Sequence, residues 1–310
     1  MTGLSASSCP KPVTDRRSAF SVIEIVVVVG LMSFIILGLM QMFNQTQRAY
    51  KLGTTQVDVL EGGRAVMDML QRELAQMKPS KVNLATNFYT RIAFAGGYKP
   101  LLQELPGIPN PPGSPLPSRT NIIQEIFFLT EENRTWTGTG YFVSNPAEGV
   151  GSLYRCEYKL NFGDNPRFLF NRFDNDVAGF YSAGLVKTNM TRLLDGLVHL
   201  RVRAYDTNGI WITNGFANVF VRRPFTTPYP NPVAEVENYS FVSNVVPASV
   251  DLELGILEDA AIAKIKAIYN PGDLTAQANS RRNYLTNQAS RTHLFRIRVP
   301  IRNVDPTAYQ

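Results

Sequence analysis

The longest apolar stretch of the chain lies near its start, at residues 20–43, and it contains one charged side chain, Glu24. As an α-helix rising about 1.5 Å per residue, this stretch is long enough to cross a hydrocarbon core of about 30 Å. Because Arg16 and Arg17 precede it, the positive-inside rule predicts that residues 1–19 stay in the cytoplasm and the rest of the chain lies outside. A cleaved secretory signal fits less well, since its apolar core is only about 7–15 residues long and a small-residue cut site follows it.

A second helical pattern follows over residues 44–79, where apolar residues recur at helical spacing among charged ones. The stripe consists of Val57, Leu60, Met67, Leu70, Leu74 and Met77. We interpret it as the face of a long helix that packs against a globular domain. Pro79 ends the predicted helix, and three glycines weaken its middle and would allow a bend. These glycines are Gly53, Gly62 and Gly63.

Over residues 80–310 the pattern changes to the alternation that is typical of antiparallel sheets with one solvated face. Strict alternation covers residues 152–162, 197–206, 250–256 and 294–301. In the second of these segments, the residues predicted to face inward are Val198, Leu200, Val202 and Ala204. Those predicted to face outward are His199, Arg201, Arg203 and Tyr205.

Other local signals complete the predicted fold. They predict strands at 122–130 and 140–144, a turn at 206–209, an exposed proline-rich loop at 106–117 and a helix at 257–269. The chain is therefore predicted to be an α+β protein. A long N-terminal transmembrane and amphipathic α-helix is expected to pack on a C-terminal antiparallel β-sheet domain.

Composition and candidate chemistry argue against an enzyme. The net charge of +6 over 310 residues is too small and too dispersed for a nucleic-acid footprint, so no nucleic-acid partner is expected. Cys9 and Cys156 cannot build a disulfide framework, and Cys156 falls on the apolar side of its strand, as a buried hydrophobe would. His199 and His293 are not spaced like metal ligands, and His199 is predicted to be solvated. We therefore predict no catalytic residue, no cofactor and no metal site.

Two polar groups need a closer look. Asp174, Asn175 and Asp176 offer the hard oxygen ligands that calcium prefers, but we interpret them as a polar turn. Six arginines are predicted to point outward from strands, namely Arg201, Arg203, Arg222, Arg223, Arg296 and Arg298. If the sheet brings them together, they would form a basic patch for an acidic partner subunit or DNA. A merely solvated face is the simpler interpretation.

The residues at the start of the apolar stretch follow a specific order. A basic pair is followed by a small residue, Ala19, then Phe20, three further residues, Glu24 and an unbroken apolar run. This order resembles the processing site of type IV prepilins and of the pseudopilins of type II secretion systems. The resemblance implies that a prepilin peptidase cuts between Ala19 and Phe20 and methylates the new amine of Phe20. The family usually carries glycine where this chain has Ala19, so cleavage is expected to be slower or unaffected.

Glu24 needs a reason, because a carboxylate inside a bilayer costs about 2.5–3.5 kcal/mol even on lenient insertion scales. A position at the membrane interface would reduce that cost. The resemblance implies a further role, since cleavage creates a cation at the start of a helix in an apolar medium. When such helices pack side by side, a carboxylate one turn further in supplies the counter-ion for a neighbour's amine. Glu24 is therefore predicted to be the charge partner of assembly.

The second half of the chain narrows the resemblance. The order of its residues resembles the C-terminal signature of J-type minor pseudopilins at Leu193, Leu194, Val198, Tyr205, Asp206, Gly209, Trp211, Val246, Pro247 and Val250. This resemblance implies a periplasmic β-rich domain over 80–310 and a role in the tip or priming complex of a secretion pseudopilus. The implied partners are I- and K-type minor subunits, the G-type major subunit and the inner-membrane assembly platform of a bacterium.

Two alternatives stay open. A minor pilin of a type IV pilus, acting in adhesion, motility or DNA uptake, shares the same pattern, and the C-terminal motif does not exclude it. A membrane-anchored enzyme or binding protein could also carry an N-terminus that imitates a prepilin. The proline-rich loop at 106–117, the insertion at 214–244 and the tail after Asn270 fit neither type of pilin well.

Overall fold

The computed structural model describes residues 21–93, 100–105, 118–160, 163–222, 237–269 and 272–309. The chain forms two compact units, Met1–Thr54 and Thr55–Gln310. Helix α1 (Val22–Ala75) begins in the first unit and ends in the second. The two predicted helical segments are therefore one continuous helix, which ends shortly before Pro79.

The second unit is built on a nine-stranded antiparallel sheet, accompanied by a two-stranded hairpin. In chain order the strands are β1 (Val82–Ile92), β2 (Leu101–Glu104), β3 (Ser118–Asn121), β4 (Gln124–Glu132), β5 (Thr135–Val143), β6 (Gly151–Lys159), β7 (Met190–Tyr205), β8 (Val219–Arg222), β9 (Asn238–Ser243), β10 (Ser249–Leu257) and β11 (Thr292–Pro300). The order in the large sheet is β11-β10-β7-β6-β5-β4-β1-β9-β8, and β2 pairs with β3. The other helices are α2 (Arg167–Ala183), α3 (Asp259–Ala267) and α4 (Leu274–Thr286). The predicted α+β class is confirmed.

Most of the predicted elements of the second unit are found. The four alternating segments lie largely in β6, β7, β10 and β11, and the two further predicted strands overlap β4 and β5. The predicted helix at 257–269 is α3, which begins only at Asp259 because Leu257 still belongs to β10. The insertion at 214–244 supplies β8 and β9, which extend the sheet beyond β1. The predicted loop at 106–117 lies outside the described residues.

One face of the large sheet packs against the second half of α1. Leu70, Leu74 and Met77 are fully buried in this main core, together with side chains from both halves of the sheet. The predicted stripe is therefore confirmed at these positions. It is wrong at Val57, whose side chain is 50% exposed, while Val59 is buried in the core. The sheet thus meets a slightly different face of the helix than the sequence spacing indicates.

Gly62 and Gly63 bring α1 close to the sheet, and the helix runs through them without interruption. A Cβ atom on Gly63 would lie 2.4 Å from Cε2 of Phe295 and 2.8 Å from Cδ1 of Ile256. A Cβ atom on Gly62 would lie 3.2 Å from Cδ1 of Leu194. These glycines weaken the helix locally, but they permit a backbone approach that a side chain would obstruct.

The opposite face of the sheet is covered by α2, a helix that the sequence analysis does not predict. The polar turn proposed around Asp174 and Asp176 is wrong, because both residues lie inside this helix. Leu169, Phe173 and Val177 recur at one helical turn and are fully buried against aromatic side chains of the sheet. Burial of this apolar face stabilises the helix in a stretch whose polar residues suggest a turn.

A bulge in β7 overturns the prediction for Val198. Leu197 pairs with Ile256, and His199 pairs with Gly255. Between these two pairs β7 is two residues long and β10 only one, so β7 carries one extra, bulged residue. Leu197 joins the main core, whereas Val198 lies in a separate cluster with residues of α3 and α4. Val198 was predicted to face the same core as Leu200, Val202 and Ala204. That prediction is wrong, because Val198 is buried in a different cluster.

The prediction that His199 is solvated is wrong for a different reason. His199 keeps the predicted side of β7, with Arg201 and Arg203, but contacts with Ile122 and Glu253 leave it only 2% exposed.

Candidate functional site

Residues 22–43 of α1 are predominantly apolar on all sides, with Glu24 as their one charged side chain. The helix is long and apolar enough to cross a membrane, and none of its most hydrophobic stretch is buried. All side chains of residues 21–50 are exposed. A continuous apolar surface of this length needs lipid or other apolar helices around it, because soluble monomers rarely expose such large patches. It is the one candidate membrane span in the described part of the chain.

Glu24 lies in the first turn of this helix. Its Oε2 atom accepts a hydrogen bond from the backbone N–H of Ser21 at 3.3 Å, and the carbonyl of Ser21 accepts from the N–H of Glu24. Glu24 therefore caps its own helix, as the glutamate of a capping box does. Ala19 and Phe20, the predicted cleavage and methylation positions, lie outside the described residues. Their roles and that of Glu24 in assembly stay predictions.

An ionic contact ties the second half of α1 to the sheet. Glu73 of α1 forms an ion pair with Arg155 of β6, with 2.9 Å between Oε1 and Nη2, and it accepts a hydrogen bond from the hydroxyl of Tyr141. Burial and the negative charge of Glu73 both raise the pKa of Tyr141, so the tyrosine stays a donor. Helix and sheet are thus joined by polar contacts beside their apolar core.

The two histidines have structural partners. The backbone N–H of Ile122 donates to Nδ1 of His199 at 3.0 Å, and Nε2 of His199 lies 3.4 Å from Glu253. Burial lowers the pKa of His199, whereas the negative charge of Glu253 raises it, and the effect of burial is larger. A neutral ring that donates a hydrogen bond from Nε2 to Glu253 fits this balance. His293 lies 3.3 Å from Glu258 through its own Nε2. Within the described ranges, no group of three or more His, Cys, Asp or Glu side chains is arranged to hold a metal ion.

The remaining polar candidates also have partners or are buried. Asp174 pairs with Arg91 at 2.8 Å, and Asp176 pairs with Lys187 and accepts from the hydroxyl of a tyrosine. The calcium alternative therefore gains no support from these carboxylates, which are engaged as counter-ions. Cys156 is buried, as predicted, and burial raises the pKa of its thiol to about 12.

Four of the six predicted outward arginines come together on the sheet. They are Arg201, Arg203, Arg296 and Arg298, which flank Asp251 and Glu253 of β10, and we call this set the arginine face. Arg222 lies in β8 at the other edge of the sheet, and Arg223 lies outside the described residues. The alternation of strands thus identified the shared face, and the strand order β11-β10-β7 brought the four side chains together.

Two carboxyl groups of the arginine face have unusually low pKa values. Burial opposes the charge of Asp251, but hydrogen bonds from Arg298 and Arg296 outweigh it and lower the pKa to about 2. A hydrogen bond from His199 lowers the pKa of Glu253 to about 2, against the opposing effect of burial. Both groups are therefore ionised in the folded protein down to strongly acidic pH.

We expect acid to weaken the second unit through these carboxylates. Their ordinary pKa values of 3.8 and 4.5 apply in the unfolded chain, which therefore binds protons before the folded one does. Their contribution to stability is complete above about pH 4.5 and is lost as the pH falls toward 2. The urea midpoint of the detergent-solubilised protein should fall over this interval, and less steeply in a Glu253→Gln variant. An identical slope in that variant would contradict the assignment for Glu253.

Compared with known proteins, the chain matches no family model, no curated protein and no solved structure. The fold and the exposed helix define an α+β protein with an N-terminal helix suited to a single membrane span. Any finer assignment rests on the sequence pattern and on the contacts described above.

Proposed function

We propose that this protein is a minor pseudopilin, a non-enzymatic structural subunit of a type II secretion pseudopilus. The observation that carries the proposal is the order of Arg16, Arg17, Ala19, Phe20 and Glu24 at the start of an apolar stretch. Two features support it: this stretch forms an exposed apolar helix, and the same helix continues into an amphipathic half that packs on an antiparallel sheet. Such a chain combines a membrane anchor with a periplasmic domain on one helix.

In this proposal the chain enters the inner membrane with its leader in the cytoplasm. Prepilin peptidase cuts between Ala19 and Phe20 and methylates the amine of Phe20. The new ammonium lies in an apolar medium, where an unpaired charge is costly. Glu24 of an adjacent helix supplies the counter-ion, and the pair fixes the axial position of one subunit against the next.

The proposed place of the protein is the tip of a short periplasmic pseudopilus, in the complex that primes assembly. Its partners there are I- and K-type minor subunits, with the G-type major subunit below and the inner-membrane platform at the base. A minor pilin of a type IV pilus is the second candidate, because the N-terminal pattern is common to both. The motif from Leu193 to Val250 favours the secretion branch.

The N-terminus of the membrane form tests the proposal directly. We expect intact-mass and N-terminal peptide mass spectrometry of the protein purified from its own host to find N-methylated phenylalanine at position 20. The pilin-like assignment would be refuted if the membrane-embedded protein still begins at Met1 in cells with an active prepilin peptidase. That result would favour a membrane-anchored enzyme or binding protein.

Glutamine at position 24 tests the assembly role separately. Gln can still accept the hydrogen bond from the N–H of Ser21, as a capping-box residue, but it carries no charge. We therefore expect Glu24→Gln to be cleaved normally and to lose co-purification with the other pseudopilins, by roughly tenfold or more for one lost buried charge pair. Glu61→Gln, which removes an exposed carboxylate further along α1, is the matched control. Equal co-purification of both variants would refute the role of Glu24.

A further inference from the structure

The arginine face has a regular geometry. Two rungs cross strands β7, β10 and β11, one formed by Arg203, Asp251 and Arg298 and the other by Arg201, Glu253 and Arg296. Neighbouring strands lie about 4.8 Å apart, and alternate residues along a strand lie about 7 Å apart. The four guanidinium groups therefore surround two carboxylates within a small rectangle. Four positive and two negative charges leave a net charge of +2.

The two signs of charge lie at different depths. The side chains of Asp251 and Glu253 are 3% and 15% exposed, whereas those of Arg296 and Arg298 are 56% and 50% exposed. Solvent and any approaching molecule therefore meet Arg296 and Arg298 first, whereas Arg203, at 18% exposed, lies about as deep as Glu253. The carboxylates beneath them hold the guanidinium groups in position and contribute little to the outer surface.

The exposed arginines are held in defined orientations. Arg298 donates to Oδ1 of Asp251 from Nε at 2.7 Å and to Oδ2 from Nη2 at 3.2 Å. Its guanidinium carbon lies 4.0 Å from the ring centroid of Tyr205, and Arg296 donates to the same aspartate at 3.0 Å. Ordered side chains lose less conformational entropy on binding, so these arginines are prepared to receive a further anion.

Among the described residues, α3 and α4 cover one end of the sheet face that carries these arginines. Val198 and Leu257 lie on it, and they pack with Ala261, Ile265 and Leu285 of α3 and α4. In the described part of the chain, Arg296 and Arg298 are exposed toward the opposite end of these strands, while Arg203 is only 18% exposed and lies 5.5 Å from the ring centroid of Trp211. An open, ordered and positively charged sheet face beside a covered one is suited to a second macromolecule.

We propose that the arginine face is a docking surface for a protein partner whose contact surface carries carboxylates. Carboxylates match the planar guanidinium group in charge and geometry and can accept two parallel hydrogen bonds from it. A nucleic acid fits less well, because a phosphate backbone calls for a longer basic track and this face holds two carboxylates beneath its arginines. The proposal does not depend on the function proposed above, since it concerns the second unit alone.

A binding assay on the full chain in detergent micelles tests this inference. The probe is a fluorescent octaglutamate peptide, and the readout is fluorescence anisotropy over a range of salt concentrations. We expect salt-sensitive binding that weakens by roughly tenfold or more in the double variant Arg296→Gln/Arg298→Gln. The matched control is Arg64→Gln/Arg72→Gln, which removes the same charge from the exposed side of α1 and should bind the peptide like the unchanged protein.

The same assay can overturn the inference in three ways. Failure of the unchanged protein to bind the peptide, or equal losses in the two double variants, would mean that the arginine face is not a specific acceptor of carboxylates. Tighter binding of a duplex DNA oligonucleotide than of the peptide, lost in the same variant, would assign the face to nucleic acid. Circular dichroism melting curves confirm beforehand that both double variants are folded, and Arg296→Ala/Arg298→Ala replaces a variant that is not.

Discussion

Replacing Leu70 with alanine is expected to lower the free energy of unfolding of the second unit by about 2–5 kcal/mol. Leu70 is fully buried in the main core, on the face of α1 that contacts the sheet. The substitution removes apolar contact area and leaves a cavity that the rigid sheet cannot close fully. For a unit of this size, the loss corresponds to a fall in Tm of roughly 4–20 °C.

Thermal unfolding of the full chain in detergent, followed by near-UV circular dichroism, measures this effect. Leu274→Ala is the matched control, because Leu274 is 81% exposed at the start of α4 and loses little on truncation. A Tm for Leu70→Ala within about one degree of the control would show that the helix does not depend on this contact. The second half of α1 would then have to be held mainly by its polar contacts.

The position of Leu70 illustrates how much of the fold the sequence predicts. Helical spacing is a property of the chain alone, so the stripe that includes Leu70 and Leu74 could be identified directly. The side of the helix that meets the sheet is set by the sheet, and this moved Val57 out of the core and Val59 into it. Gly63 shows the same limit, since its close approach to Phe295 becomes visible only when both elements are in place.

Helix α2 was missed although the sequence contains a signal for it. Leu169, Phe173 and Val177 are spaced by one helical turn, but the aspartates between them suggested a turn. The partner that stabilises Asp174 is Arg91, which lies far away in sequence. Only the fold brings this arginine to the helix, so the position of Asp174 could not be interpreted correctly beforehand.

The β7 bulge is a second feature that lies beyond sequence pattern. Strict alternation predicts that Val198 shares a side with Leu200, and a single extra residue places Val198 in a separate cluster instead. The candidate functional residues also fall into a part that the sequence predicts and a part that only the fold shows. Glu24, Ala19 and Phe20 are predicted from local order alone, whereas the arginine face required the pairing of three strands that are distant in the chain.

Removing the side-chain charge of Arg91 is expected to destabilise the second unit strongly. Nε of Arg91 lies 2.6 Å from Oε2 of Glu125, whose side chain is fully buried. Burial raises the pKa of Glu125, and the positive charge of Arg91 opposes that shift. Arg91→Met would leave the carboxylate without its counter-ion, and losing one partner of a buried pair costs about 3–5 kcal/mol.

The loss in Arg91→Met should depend on pH, with a sign that follows from linkage. Glu125 binds a proton more readily in the folded than in the unfolded chain, so its ionisation costs stability as the pH rises above about 4.5. Without Arg91 the folded pKa of Glu125 rises further, and the deficit relative to the unchanged protein should be larger at pH 8 than at pH 5. Urea unfolding curves at the two pH values measure the difference.

A second substitution separates the charge effect from lost packing. Arg91→Met/Glu125→Gln removes both charges, and its stability should recover most of the deficit because no buried carboxylate is left to ionise. Glu125→Gln alone should cost less than Arg91→Met, since Arg91 keeps its ion pair with Asp174 at 2.8 Å. If the deficit of Arg91→Met is the same at both pH values and the double variant is no more stable, the arginine contributes through its aliphatic stem. The Arg91–Glu125 pair would then not determine the stability of this part of the sheet.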